Sequence, residues 1–289
     1  MLAEFNQVID YIEDHLQDNI SAKTIETITG TSDYHFRRMF SFLTGMPLNE
    51  YIRNRRLSMA NQDLLLGEKV IDVAFKYRYQ SADGFSKAFQ DWSGFRPSDI
   101  SKNKKQKFFP KLEFSFRIQG GISMEFHIEE KEPFRLIGVA KRVSMQFEGQ
   151  NSDIIQLAQS ISDEQKKEMH KLGNLYPHQV INASYNFDEQ RFDEKSSLDH
   201  LIGFLSTKES SRPDLTQISV DRHLWAIFPV TGEFPSELQK TWARIFSEWL
   251  PASRYELVEA PEISFTKYDD DSTIKYSEIW IAVREKMVR

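Results

Sequence analysis

The same short pattern occurs twice in the first third of the chain. It first reads Ser32-Asp33-Tyr34-His35-Phe36-Arg37-Arg38-Met39-Phe40, closed by Gly45; it then reads Ser81-Ala82-Asp83-Gly84-Phe85-Ser86-Lys87-Ala88-Phe89, closed by Gly94. At one constant offset Ser32 matches Ser81, Phe36 matches Phe85, Arg38 matches Lys87, Phe40 matches Phe89 and Gly45 matches Gly94. Phe36, Met39, Phe40 and Leu43 fall on one helical stripe, as do Phe85, Ala88, Phe89 and Trp92. The serines stand where an N-cap hydroxyl satisfies the first free amides, and the glycines where a helix stops. Short helices, Ala22 to Thr29 and Val70 to Tyr77, precede the two copies, so each pair is a helix-turn-helix candidate. Two basic, Ser-capped helices in one chain suggest two reading heads on one face of DNA. The four phenylalanines belong to the core.

The connector from Leu48 to Leu66 has helical spacing, and about 20 helical residues span ~30 Å. Reading heads in successive major grooves lie ~34–36 Å apart, so the connector has about the length needed.

Charge distribution agrees. The net charge is −6, but residues 31–107 carry 14 Lys and Arg against eight acids, while residues 108–289 carry 22 against 29. The basic excess lies with the repeated helices, as expected of a DNA-binding region in a larger acidic protein. With 289 residues, two domains are expected. The chain has no Cys, which excludes disulfides, thiolate zinc sites and cysteine nucleophiles. No signal-peptide pattern and no apolar run of membrane-spanning length are visible, so a cytoplasmic protein without a membrane segment is expected.

Residues 5–102 resemble the DNA-binding domain of the AraC/XylS family of bacterial transcription regulators. The likeness rests on the two helix-turn-helix units, Tyr51-Ile52-Arg53-Asn54-Arg55-Arg56-Leu57, Ile71-Asp72-Val73-Ala74-Phe75, Phe85-Ser86-Lys87-Ala88-Phe89, Gly94 and Pro97. It implies double-stranded DNA as a partner, with Tyr34, Arg37 and Arg38 reading bases from the first helix. Ala82, Asp83, Ser86 and Lys87 would read from the second. Arg78-Tyr79 stands where the family carries Gly-Phe or Gly-Tyr, Gly84 weakens the second helix, and Asp83 suits only a cytosine amine. The first head is therefore expected to do most of the reading.

After residue 108 the pattern changes. A segment over 109–121 reads as a linker and 122–289 as a second domain. Ile122 to Ile128 alternates as a strand; Leu136 to Ala140, Val180 to Tyr185, Leu201 to Leu205, Leu224 to Val230 and Tyr276 to Val283 also read as extended. Ile154 to Leu172 and Ser236 to Leu250 have helical spacing. The expected fold is an all-α double helix-turn-helix domain followed by an α+β domain of two similar sheet-and-helix halves.

The second region resembles the GyrI-like effector-binding domain, through Trp225-Ala226-Ile227-Phe228-Pro229-Val230-Thr231-Gly232, Trp242 to Pro251, and Ser277-Glu278-Ile279-Trp280-Ile281. The domain order resembles the Rob subgroup of the AraC/XylS family. This implies a transcription regulator, an activator acting with RNA polymerase, whose second domain binds a small hydrophobic or cationic effector. Alternation places Tyr276, Glu278 and Trp280 on one strand face, and Ile279, Ile281 and Val283 on the other. A carboxylate flanked by aromatic rings can hold a lipophilic cation. Phe147, Tyr185, Phe187, Phe204, Phe228 and Trp242 are further candidates for that effector site. The family's carboxylate before the tyrosine of Phe265-Thr266-Lys267-Tyr268 is replaced by Lys267.

The histidines form no metal spacing, and neither a nucleophile elbow nor a phosphate loop is present. No cofactor and no enzyme activity are expected. Two alternatives stay open: a small-molecule hydrolase, or a protein-interaction module, tethered to the DNA-binding domain.

Overall fold

The computed structural model describes residues 2–103, 106–114, 123–144, 151–187, 197–268 and 273–286. The chain divides into two compact units, the first built on residues 1–119 and the second on most of those that follow.

The first unit is helical: α1 Leu2–Asp14, α2 Ala22–Thr29, α3 Asp33–Thr44, α4 Leu48–Leu65, α5 Val70–Lys76, α6 Ala82–Ser93 and α7 Pro97–Asn103. The predicted caps form. Ser32 Oγ accepts from the His35 amide and Ser81 Oγ from the Gly84 amide, while Gly45 and Gly94 end α3 and α6 in the left-handed conformation. The stripes of the repeat face inward: Phe36, Met39 and Phe40 are buried on α3, and Phe85 and Phe89 on α6.

The connector α4 is central rather than one-sided. Leu57, Ala60 and Leu64 pack against Val73, Tyr77, Phe85 and Phe89. Its polar residues are buried as well and find fixed partners. Arg55 donates from Nε and Nη2 to the two carboxylate oxygens of Glu13 at 2.8 and 2.6 Å. Arg56 donates to the carbonyls of Leu16 and Asp18, both at 2.8 Å, which satisfies acceptors left free just beyond α1. These arginines are structural.

Residues 109–114, expected as linker, lie against this unit. The Phe109 amide donates to Ser58 Oγ, and Phe114 exchanges two backbone hydrogen bonds with the side-chain amide of Asn6 at 2.8 and 2.9 Å. The Phe114 ring packs edge-on against Phe5 and Phe40.

The second unit contains one antiparallel sheet: β1 His127–Lys131, β2 Phe134–Ser144, β3 Ile181–Tyr185, β4 Ser197–Ser206, β5 Thr216–Val220, β6 His223–Glu233, β7 Tyr255–Leu257, β8 Glu262–Thr266 and β9 Ile274–Glu285. The spatial order is β1-β6-β9-β8-β3-β4-β2-β5, with β7 also on β9. The order is symmetric about the β8–β3 contact. One half runs β2, helices α8 (Ser152–Ser160) and α9 (Asp163–Leu172), β3, β4; the other runs β6, helix α10 (Ser236–Arg244), β8, β9. The single helix expected over Ile154 to Leu172 is thus two, because Ser162 caps a new start through a full capping box with Gln165. The strand expected over Ile122 to Ile128 begins only at His127; Phe126 instead packs on Phe228 and Trp249, and Ile122 lies outside the described residues. α10 continues as a π-helical turn, Ile245–Trp249.

Register assigns the two sheet faces. Leu157, Met169 and Leu172 of α8 and α9 pack with Ile137, Ile202 and Phe204 on one face. The opposite face gathers Phe134, Leu136, Ile181, Leu205, Trp225, Ile227, Phe265 and Trp280 into a second core. There β2 and β4 approach closely at the Gly138–Gly203 pair: a methyl group on Gly203 would stand 2.0 Å from the Ile137 carbonyl oxygen, which only glycine avoids.

Candidate functional site

In the first unit, the exposed side of α6 carries Asp83 and Lys87, with Ala82 and Ser86 half-buried beside them. On α3, Tyr34 and Arg37 are half-buried. Arg37 is already engaged, its Nε 2.6 Å from Asp33 Oδ2 and its Nη1 2.9 Å from Asn49 Oδ1. The i,i+4 spacing on one helix face makes the Asp33 pair a local consequence of sequence. Arg38 departs from expectation. It is 2% exposed, with its guanidinium 5.0 Å from the Phe42 ring centre. Phe42 lies one turn further along α3, and an arginine held beneath the surface does not present its fork to a base edge. Tyr34 and Arg37 are the more accessible members of the set expected on the first helix.

In the second unit the candidate site is built on β9. Tyr276, Glu278 and Trp280 share a face, as alternation requires, and they are in direct contact. Tyr276 Oη donates to Glu278 Oε1 at 2.6 Å, and Trp280 Nε1 donates to Oε2 at 2.7 Å. A third donor comes from the connection between α9 and β3: Tyr176 Oη reaches the same Oε1 at 2.6 Å. Its ring lies nearly parallel to the Trp280 indole, 6.1 Å between centres, and edge-on to Phe265. Glu278 is only 5% exposed.

Burial, followed by the neighbouring carboxylate, raises the pKa of both tyrosines, that of Tyr276 to about 12. Both hydroxyls therefore remain donors across the physiological range. The three bonds are of the charge-assisted kind, but all three donors are neutral. Among the described residues no cation is ion-paired with Glu278.

A cavity of about 260 Å³ opens beside this cluster. Trp280 and Tyr176 separate it from Glu278; Phe134, Leu175 and Leu205 supply apolar wall, and Glu129, Glu130, Lys131, Glu132 and Thr207 its polar edge. Its size suits one small organic molecule.

The remaining aromatic candidates are dispersed. Phe204 lies on the helix-bearing face against His170. Phe228 is out of phase by one residue: Ile227 pairs with Trp280, whereas Phe228 pairs with Ile279 and packs on Trp249. Trp242 stacks on Phe246. These three are therefore corrected from ligand contacts to packing on the other side of the sheet. Tyr185 is on the right face, but four residues along β3 from Ile181, the position level with Phe265 and Glu278, or ~13 Å away at strand rise. Phe187, half-buried, lies beyond the end of β3 and does not line the cavity. Phe147 falls outside the described residues.

Sequence reasoning missed Tyr176, Lys131 and the apolar wall. The available signal was an aromatic beside proline, Leu175-Tyr176-Pro177, in an otherwise polar connection. Among the described residues there is no cluster able to hold a metal ion and no helix long and apolar enough to cross a membrane.

A helical unit with two helix-turn-helix pairs, each ending in a serine-capped helix, and a symmetric antiparallel sheet with a ligand-sized cavity beside a buried carboxylate define a protein of two parts, one of DNA-binding type and one of small-molecule-binding type. The family comparisons place it. A model of the GyrI-like small molecule binding domain matches residues 124–284, and a helix-turn-helix domain model matches residues 25–103. The chain belongs to the AraC-type transcription regulators that carry a GyrI-like domain. The HTH-type transcriptional activator AarP of Providencia stuartii is 36% identical over 94 residues, covering 32% of this chain and 70% of AarP. The right origin-binding protein of Escherichia coli (strain K12) is 36% identical over 81 residues, 28% of each chain; the match thus spans little more than a quarter of that relative. Among solved structures, SAV2435 bound to tetraphenylphosphonium is similar over 56% of this chain and 94% of that one, at 13% identity and a TM-score of 0.45.

Proposed function

We propose that this regulator binds double-stranded DNA through α3 and α6 and responds to a small, aromatic or lipophilic cation held beside Glu278. The observation that carries the effector reading is the buried Glu278 carboxylate, held by the neutral donors of Tyr176, Tyr276 and Trp280 and ion-paired with no described cation, next to an aromatic-walled cavity. Burying a carboxylate without a directly paired cation is costly. A cation bearing apolar groups would be drawn to the carboxylate and gain contact with the rings. On DNA, Tyr34, Arg37, Ala82, Asp83, Ser86 and Lys87 form the reading set, with Arg37 exchanging Asp33 for a base or phosphate. Likeness to AarP supports a role as activator, with RNA polymerase as a partner.

The test is a tryptophan-fluorescence titration with benzyltrimethylammonium and its neutral isostere neopentylbenzene. The cation should bind at least about tenfold tighter than the isostere, and Glu278→Gln should abolish that preference. Equal affinity for the two compounds would refute the cation reading.

A further inference from the structure

The pocket already contains a cation of its own. Lys131, the last residue of β1, lies on the same sheet face as Trp225 and Trp280: Glu129 pairs with Trp225 and Lys131 with His223 across the β1–β6 ladder. From there its Nζ sits 4.3 Å from the centre of the Trp280 ring. The side chain is 16% exposed and lines the cavity, with Glu129 3.0 Å from its Nζ. The ring that donates to Glu278 through its indole nitrogen thus offers its π-face to an ammonium of the chain. A second lysine, Lys267, lies 4.9 Å from the ring centre of Tyr276 but does not line the cavity.

We propose that Lys131 is a specificity-determining residue of the effector pocket: a tethered cation that occupies the Trp280 face, so that an incoming cation must displace it. The inference rests on the effector reading above. An ammonium over a partly desolvated indole is the geometry of a cation–π contact. A ligand that competes for the same face gains only the difference between its own contact and that of Lys131. Small cations that cannot add apolar contacts with Phe134, Leu175 and Leu205 are thereby discriminated against, and bulkier ones are favoured. Glu129 supplies the place to which the displaced ammonium swings while remaining paired.

The experiment titrates the full chain with benzyltrimethylammonium and neopentylbenzene, using wild type, Lys131→Met, Lys131→Arg and Lys267→Met, each checked for an unchanged melting profile. Lys131→Met should bind the cation about 3- to 30-fold tighter, the range of a freed cation–π face, with the neutral isostere changed far less. Lys131→Arg, which keeps a cation for the ring, should remain near wild type. Lys267→Met removes the same charge from the same cluster without clearing the cavity and should gain no more than about twofold. Unchanged or weaker cation binding in Lys131→Met, with wild-type binding intact, overturns the proposal and leaves the effector reading standing. Equal gains in Lys131→Met and Lys267→Met also overturn it, since the effect would then be charge alone. Absence of cation binding in wild type and Lys131→Met alike removes both readings.

Discussion

Arg78 adopts φ 70°, in the turn between α5 and α6. An L-residue there brings its Cβ against the backbone at a cost of roughly 1–2 kcal/mol, partly offset because glycine loses more entropy on folding. Its one described side-chain bond, to Asn19 Oδ1 at 2.9 Å, is exposed and adds little. Arg78→Gly should therefore stabilise the first unit by up to about 1 kcal/mol, visible as a higher melting temperature; a lower one would show that the Asn19 contact outweighs the strain. In the second unit His200 is buried between Ser184 and Asn182, each 3.1 Å from a ring nitrogen, and burial pushes its pKa down to about 4. Between about pH 6.5 and 4 the unfolded chain binds a proton that the folded chain refuses. Stability must then fall as pH is lowered through that window, by up to about 3 kcal/mol. Denaturant unfolding at pH 7 and pH 4.5 should show the loss in wild type and a smaller one in His200→Gln.

At the scale of elements, α3 and α6 follow from local rules, whereas their support does not. The stripes, serine caps and glycine stops of α3 and α6 are set by residues within one or two turns, so they were legible. That α4 would bury Arg55 and Arg56 was not, because the compensating groups, Glu13 and the carbonyls of Leu16 and Asp18, lie about 40 residues away in sequence. The reading of residues 109–114 as linker has the same origin: their order comes from Asn6, Phe5 and Phe40. Phe114→Ala should cost the first unit about 1–3 kcal/mol, less than a fully buried ring because Phe114 is half-buried. Circular dichroism melts of the pair would settle it, and an unchanged transition would mean that the segment is only laid on the surface.

For the molecule as a whole, two units with separate chemistries should respond to separate ligands. Ligand binding to a folded unit stabilises it by about 2.7 kcal/mol at one hundred times Kd, and protection from hydrogen exchange reports where. A lipophilic cation should slow exchange in β9 and in the connection around Tyr176; an operator duplex should slow it in α3 and α6. Protection by the cation concentrated instead in α8 and α9 would move the effector to the helix-bearing face and displace Glu278 as its charge reader.

The chain order alone determined the two capped helix-turn-helix pairs, the basic segment that carries them, and the shared face of Tyr276, Glu278 and Trp280, because each depends on helical or strand period and on neighbours within a few residues. Tertiary structure decided the rest. It buried Arg38, placed Phe204, Phe228 and Trp242 behind the sheet, and brought Tyr176 and Lys131 to Trp280. Which face an aromatic occupies turns on a one-residue register between strands distant in sequence, as Ile227 and Phe228 show. Whether a carboxylate is buried and ringed by donors depends on a connection about 100 residues upstream, for which no local pattern in β9 carries a signal.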